Sequence, residues 1–178
     1  VGETEKKPVK RGTLATKQMT PYTLAVIVPF SNQFKRDLPN LYDALIQRLP
    51  LALGKKFDQT VFGGVTVPGS NFDTLKGCTA QEIGTNAYGG LVAAQADIAA
   101  HDGILNGWVL SPKAQSVLLT AVDGNKRPLF INSVAEGAVP MILGASAVQS
   151  KGAYIADTTA AKKHVVGFAG DWTQAVYG

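Results

Sequence analysis

A catalytic centre needs a base, a nucleophile and a group to orient them, and this chain is poor in all three. It holds two histidines, His101 and His164, and one cysteine, Cys78. A triad requires an imidazole beside its nucleophile and its orienting partner. His101 stands before Asp102-Gly103 at the end of an apolar helical run, where a cation complements the helix dipole. His164 follows Lys162-Lys163 in what reads as an exposed turn. Cys78 sits in a Gly/Thr-rich stretch with no Cys-x-x-Cys partner, which argues against a metal or redox motif. Gly64-Val65-Thr66-Val67-Pro68-Gly69-Ser70 has the spacing of a phosphate-binding loop, but Ser70 stands where the lysine belongs and Pro68 removes an amide donor. The carboxylates are scattered singly, and although Asp97 and Asp102 flank His101, capping of a helix end accounts for them as well. The sequence requires no enzyme, and the reading is of no catalytic residue, no cofactor and no metal site.

The composition is that of a folding chain. With 178 residues, 46% hydrophobic and 17% charged, it has enough apolar material for a core and too little charge for charge-driven disorder. No apolar run reaches the roughly 18 to 20 residues that span a bilayer, and no signal-peptide pattern opens the sequence, so a soluble protein with no membrane partner is expected. Val1 is not an initiator methionine, which suggests a trimmed chain. The net charge of +4 is uneven: Lys6, Lys7, Lys10, Arg11 and Lys17 face only Glu3 and Glu5 in the first twenty residues. That basic stretch lacks interleaved aromatics and makes a weak nucleic-acid footprint. A solvated arm meeting an acidic neighbouring surface is the alternative.

Several elements should organise the chain. Residues 1–20, polar and broken by Pro8 and Gly12, read as an extended arm. Leu24 to Phe30 is a β-branched apolar run between prolines and suits a short strand. Ser31 can cap a short helix through Phe34 to Asp37. Leu41, Leu45, Leu49, Leu53, Phe57 and Val61 recur every four residues and predict a long helix over about 40–62. Steps of four turn this stripe by about 200° along the helix, so its two ends should face different neighbours. Pro50 deletes a backbone hydrogen bond and crowds the Ile46 carbonyl, predicting a bend or break. Residues 63–84 form a Gly/Thr/Pro-rich hinge. Then come a helix over 91–101, a strand over Trp108 to Leu110, and a helix opened by Ser111 as N-cap and Pro112 at its first position. A turn at Asp123-Gly124 follows, with short strands at 129–131, 141–143, 153–155 and 165–168, and the final Tyr177-Gly178 reads as the end of a strand. The class is α+β.

Trp108-Val109-Leu110-Ser111-Pro112-Lys113-Ala114, then Leu118-Leu119, then Asp123-Gly124-Asn125-Lys126-Arg127-Pro128-Leu129-Phe130, resembles a stretch of tailed-phage major capsid proteins with the HK97-like fold. Val28-Pro29-Phe30-Ser31 leading to Pro39-Asn40, Phe62-Gly63-Gly64, and Gly170-Asp171-Trp172-Thr173-Gln174-Ala175 follow in the family's order. The resemblance implies an E-loop return strand over 1–23, a peripheral domain over 24–85 carrying the spine helix, and a mixed α/β axial domain over 86–178, incomplete because family members are longer. It departs where Lys126 replaces a frequent glycine and where Gly144-Ala145-Ser146 replaces Gly-Tyr-Pro.

What the resemblance implies is a structural subunit forming pentamers and hexamers of an icosahedral shell around double-stranded DNA. Its location would be the virion, with the host cytoplasm during assembly. Scaffold, portal or decoration proteins would be partners, and packaged DNA a non-specific one. Lys6, Lys7, Lys10, Arg11 and Lys17 would pair with acidic groups across a subunit boundary. Lys7 falls where a cross-linking member of the family carries its lysine, but the asparagine and glutamate needed for that bond lie beyond this sequence, and a solvated lysine is the alternative. A nanocompartment shell of the encapsulin type and a basic DNA-binding accessory module are the rival readings.

Overall fold

A computed structural model describes residues 12, 16, 18, 20–29, 31–37, 39–130, 139, 141–161 and 163–176. The basic residues Lys6, Lys7, Lys10, Arg11 and Lys17 lie outside the described set, as does most of the arm over 1–20. The short helix α1 spans Asn32–Asp37, and the long helix α2 spans Pro39–Val61 with Pro50 inside it. The predicted break at Pro50 is absent: α2 is helical throughout its 23 residues, about 34 Å. Pro50 and Ile46 are both exposed. At an exposed site water can take up the hydrogen bond the proline cannot make, so one missing donor does not end the helix.

A loop carrying a 3-10 turn at Leu75–Gly77 leads to α3 (Ala87–Ala100). Asn86 caps α3 by accepting the Gly89 amide at 2.9 Å. Strand β1 (Gly107–Leu110) runs into α4 (Pro112–Leu119), whose N-cap is Ser111 as its Ser-Pro start predicts. Ser111 is fully buried, and its hydroxyl both donates to the Val166 carbonyl at 2.6 Å and accepts the Ala114 amide at 3.3 Å. Strands β2 (Met141–Ile142), β3 (Ala145–Gln149) and β4 (Gly167–Gly170) complete a four-stranded sheet of order β2-β3-β1-β4. In it β1 is parallel to β3 and antiparallel to β4, with Trp108 opposite Ala147 on one side and Ala169 on the other. Helices α3 and α4 close over this sheet, and Ala87, Leu91, Trp108, Leu110, Ala114, Leu118, Ile142 and Ala145 form the core. The Trp108 indole meets its need for a partner by donating to the buried Ile142 carbonyl at 2.9 Å.

Three strand expectations are corrected. Residues 24–29 are assigned no strand, because no described segment pairs with them. Residues 129–130 form a bend tied back by the Leu129 amide to the Ala121 carbonyl. Lys151–Ala153 is a 3-10 turn capped by Ser150, leaving only Ile155 in an isolated bridge to Val165. Trp172–Gln174 is also a 3-10 turn, and the strand end expected at Tyr177-Gly178 lies outside the described residues. The mixture of helix and sheet agrees with an α+β class.

Candidate functional site

No described group of three or more His, Cys, Asp or Glu could hold a metal ion. No helix among the described residues is long and apolar enough to cross a membrane. His101 is the C-cap of α3, its Nδ1 2.8 Å from the Asp97 carbonyl, and His164 lies far along the chain against the Asp157 amide. Cys78 is an exposed free thiol. The three residues belong to separate elements: the C-cap of α3, the loop before β4 and the end of the 75–77 turn. Residues 64–70 are a turn and loop.

The distinctive geometry is instead how α2 meets the sheet. Its best-defined seat among the described residues is its last turn. Ser150 donates its hydroxyl to the Asp58 carboxylate at 2.6 Å, 92 residues away in sequence. Gly152 lies so close beneath the helix that a Cβ there would fall 2.3 Å from the Asp58 Cβ and 3.0 Å from the Gln59 amide nitrogen. Phe62, buried just past the helix end, stacks on Phe168 of β4 with ring centroids 4.8 Å apart. Gly63, in the left-handed region at φ 79°, and Gly64, whose amide donates to the Gln59 carbonyl at 2.8 Å, turn the chain away.

Ahead of that seat α2 is partly covered. Tyr42, Leu45, Leu49 and Leu53 are half-buried and occupy a sector of about 80°. Ile46 and Phe57 adjoin that sector yet are 43% and 56% exposed, and Leu51, on the opposite side, is 76% exposed. The apolar side chains of α2 thus divide between a half-buried sector and exposed positions on either side of it. Tyr22 packs edge-on against Phe72 at 6.0 Å. Beyond it Leu24, Val26 and Ile27 are exposed, Ile27 at 90%.

A second tie, which the sequence did not announce, holds the 171–174 turn to the 103–107 loop. The Asp171 carboxylate accepts from the Ile104 amide at 3.2 Å and the Asn106 side chain at 2.8 Å, as well as from the Thr173 amide and hydroxyl. The Trp172 amide donates to Asn106 Oδ1 at 3.0 Å, and its indole to the Gly107 carbonyl at 2.9 Å. Hydrogen bonds from the Thr173 hydroxyl and then the Ile104 amide hold the Asp171 carboxyl below its ordinary value. The partners lie about 65 residues apart, so only the run Asp171-Trp172-Thr173 was available as a signal. The turn at 123–127 is closed by Asp123, which accepts the Asn125 and Arg127 amides at 2.8 Å each and the Arg127 guanidinium at 2.9 Å. Lys126 within it has φ 63°, the conformation for which a glycine is suited.

The chain is similar in sequence to the probable major capsid protein gp17 of Mycobacterium phage D29, at 27% identity over 100% of this chain and 57% of the relative. It is similarly related to the probable major capsid protein gp17 of Mycobacterium phage L5, at 26% identity and the same coverage. It thus spans less than two thirds of the length of the curated relatives it matches. Its fold is similar to that of a chain from Gordonia phage Cozz, with a TM-score of 0.59, 15% identity, and coverage of 92% of this chain and 61% of that one. A sequence model of the phage capsid family matches residues 1–178, and the chain belongs to that family.

Proposed function

We propose that this chain is the shell-building part of a phage major capsid protein, a structural subunit whose copies associate into the pentamers and hexamers of an icosahedral head around double-stranded DNA. The observation that supports the reading beyond family membership is α2, which is anchored at its last turn and leaves Leu41, Ile46, Leu51 and Phe57 exposed. Such a helix is stabilised by neighbours, and closed symmetry multiplies modest contacts into a stable shell. In this reading the fold is HK97-like. Residues 1–23 are the E-loop return arm, 24–85 the peripheral domain with α2 as its spine, and 86–178 the axial domain.

Lys6, Lys7, Lys10, Arg11 and Lys17 reach acidic groups of an adjacent subunit, with Lys7 a solvated member of that set rather than a cross-linking residue. Pro50 is the place where the spine bends when the shell changes form. Equal protection of the 46–54 amides from hydrogen exchange in both shell forms would argue against that bend. Scaffold, portal and decoration proteins are the partners to seek, and DNA is held without sequence preference. The test is negative-stain microscopy and sedimentation of the full-length protein, with and without the double substitution Leu51→Glu and Phe57→Glu. Closed shells from the parent and soluble, folded, unassembled protein from the variant are expected. A parent that stays monomeric at assembly concentrations, or a variant that assembles normally, refutes the reading.

A further inference from the structure

The loop between Ile155 and Val165 is closed at its base by a reciprocal pair of backbone hydrogen bonds, 2.9 Å and 3.0 Å. Its interior is organised by one residue. The Asp157 carboxylate accepts from the Thr159 amide at 2.8 Å, the Thr159 hydroxyl at 2.7 Å and the Lys163 amide at 2.9 Å, so it holds both the outgoing and the returning limb. The Asp157 amide, in turn, donates to His164 Nδ1 at 2.9 Å. An imidazole nitrogen that accepts a backbone N–H carries no proton of its own, so this contact exists only with His164 neutral and protonated at Nε2. His101 is the opposite case: its Nδ1 lies 2.8 Å from the Asp97 carbonyl, an acceptor, and so bears the proton in either charge state.

We infer that His164 is a proton-operated latch on this loop: protonation at Nδ1 turns an acceptor into a donor facing a donor, and the Asp157 amide is released. Among the described residues, Asp157 is the carboxylate whose loop carries the ring, its amide bonded to Nδ1. Lys163 adjoins His164 in sequence and follows Lys162. From α4, Lys113 places its ammonium 3.8 Å from the centre of the Tyr154 ring, whose face is tilted 40° to the imidazole at 5.7 Å. A protonated His164 therefore exchanges a hydrogen bond to the Asp157 backbone for an attraction to the Asp157 side chain. That carboxylate is already shared by Thr159 and Lys163, so the ring's new demand competes with both limbs of the loop. The loop abuts the α2 seat: a Cβ on Gly64 would lie 3.8 Å from Ile155 Cγ1 and from the Tyr154 carbonyl. Releasing it loosens the ground on which the end of α2 rests. The inference stands on this geometry and does not depend on the shell reading.

The full-length protein, labelled with ¹⁵N, reads out the latch in two ways between about pH 7.5 and about pH 5.5, the range in which histidines change charge. Ring-nitrogen spectra should show His164 with a bare Nδ1 and His101 with a protonated Nδ1 at the upper pH, and at the lower pH a proton added at Nδ1 of His164 but not at Nδ1 of His101. Hydrogen exchange, corrected for the intrinsic pH dependence of amide chemistry, should show the Asp157 amide losing about tenfold protection, the worth of one ordinary hydrogen bond. His164→Asn, whose side-chain oxygen keeps an acceptor near the Nδ1 position without titrating, should retain that protection at both pH values. Equal protection of the Asp157 amide across the titration, a His164 bearing Nδ1–H at the upper pH, or an Asn variant that keeps the full pH dependence would each overturn the inference.

Discussion

Placing one methyl group at Gly152 tests whether α2 is held where the geometry places it. The added Cβ would lie 2.3 Å from the Asp58 Cβ, 3.0 Å from the Gln59 nitrogen and 3.1 Å from the Asp58 carbonyl carbon, all belonging to the helix backbone or its root. None is the yielding tip of a long side chain. Ordinary carbon contact is about 3.5–4.0 Å, so the helix end or the 150–153 turn must retreat by about 1.2–1.7 Å. Overpacking of this kind costs about 1–3 kcal/mol. A retreat of that size also breaks the 2.6 Å bond from Ser150 to the half-buried Asp58 carboxylate, whose loss costs about 1.5–3 kcal/mol. The protein takes the cheaper mixture of strain and rupture, so Gly152→Ala should destabilise by about 2–4 kcal/mol in urea unfolding. Gly54→Ala is the matched control, because Gly54 lies inside the same helix with nothing within 4 Å of its Cβ position. There the change removes only a poor helix former and should stabilise by about 0.8–1 kcal/mol. If Gly152→Ala falls within about 0.5 kcal/mol of the parent while Gly54→Ala behaves as stated, α2 is not seated on the 150–153 turn and the account of the junction is wrong.

Lys126 occupies the left-handed region at φ 63° on an exposed turn. Lys126→Gly relieves about 1–2 kcal/mol of steric cost against about 0.5–1 kcal/mol of added chain entropy, so a net gain of up to about 1 kcal/mol in thermal unfolding is expected, whereas Lys126→Val should lose stability. Acid should undo the carboxylate ties together. Asp171 is held below the ordinary value of 3.8 chiefly by the Thr173 hydroxyl, Asp157 chiefly by the Thr159 hydroxyl, and Asp123 chiefly by the Arg127 amide. A carboxylate whose value is lower folded than unfolded contributes stability that is complete well above 3.8 and lost as the pH falls through the folded value. Melting temperature should accordingly drop below about pH 4, and Asp171→Asn should flatten that acid limb while lowering the plateau; an acid limb unchanged by the substitution would show the 171–174 tie to be idle.

What the sequence made readable was local. The four-residue recurrence from Leu41 to Val61 marks α2, and the Ser111-Pro112 pair marks the start of α4, because the signals for a helix and its cap lie within a few residues of each other. Lys126 stood out against a family glycine, and its backbone does adopt a glycine-like angle. The missed elements depend on distant partners. Ala145–Gln149 is small and polar, with little intrinsic strand character, and is a strand because β1 and β2 bond to it on either side. Leu143 and Gly144, at φ 49° and 79°, make the tight turn that sends it back along β2. Residues 153–155 have strand-like side chains but are preceded by Gly152, pressed flat under a helix end more than ninety residues earlier. The apolar run at 24–29 fails for the converse reason: its composition favours a strand, and no described segment is there to pair with it. The Asp171 tie joins two loops whose sequences carry no trace of each other.

Pro50 separates two questions that a family resemblance runs together, whether a helix is stable and whether it must bend. The helix is continuous through Pro50 despite a missing donor and a crowded Ile46 carbonyl, so neighbouring turns absorb a penalty of up to about 3 kcal/mol relative to alanine. Pro50→Ala should recover about 1–3 kcal/mol of it, raising the melting temperature by about 2–4 °C for each kcal/mol in a chain of this size. The same substitution restores the donor that Pro50 removes from the α2 ladder at a fixed point. If the shell requires the spine to bend there, the variant melts higher as a subunit and yet assembles or changes form more slowly. If the proline is merely tolerated, subunit stability and shell formation improve together. A melting temperature that does not move would refute the premise common to both, because it would mean that the proline costs this helix nothing.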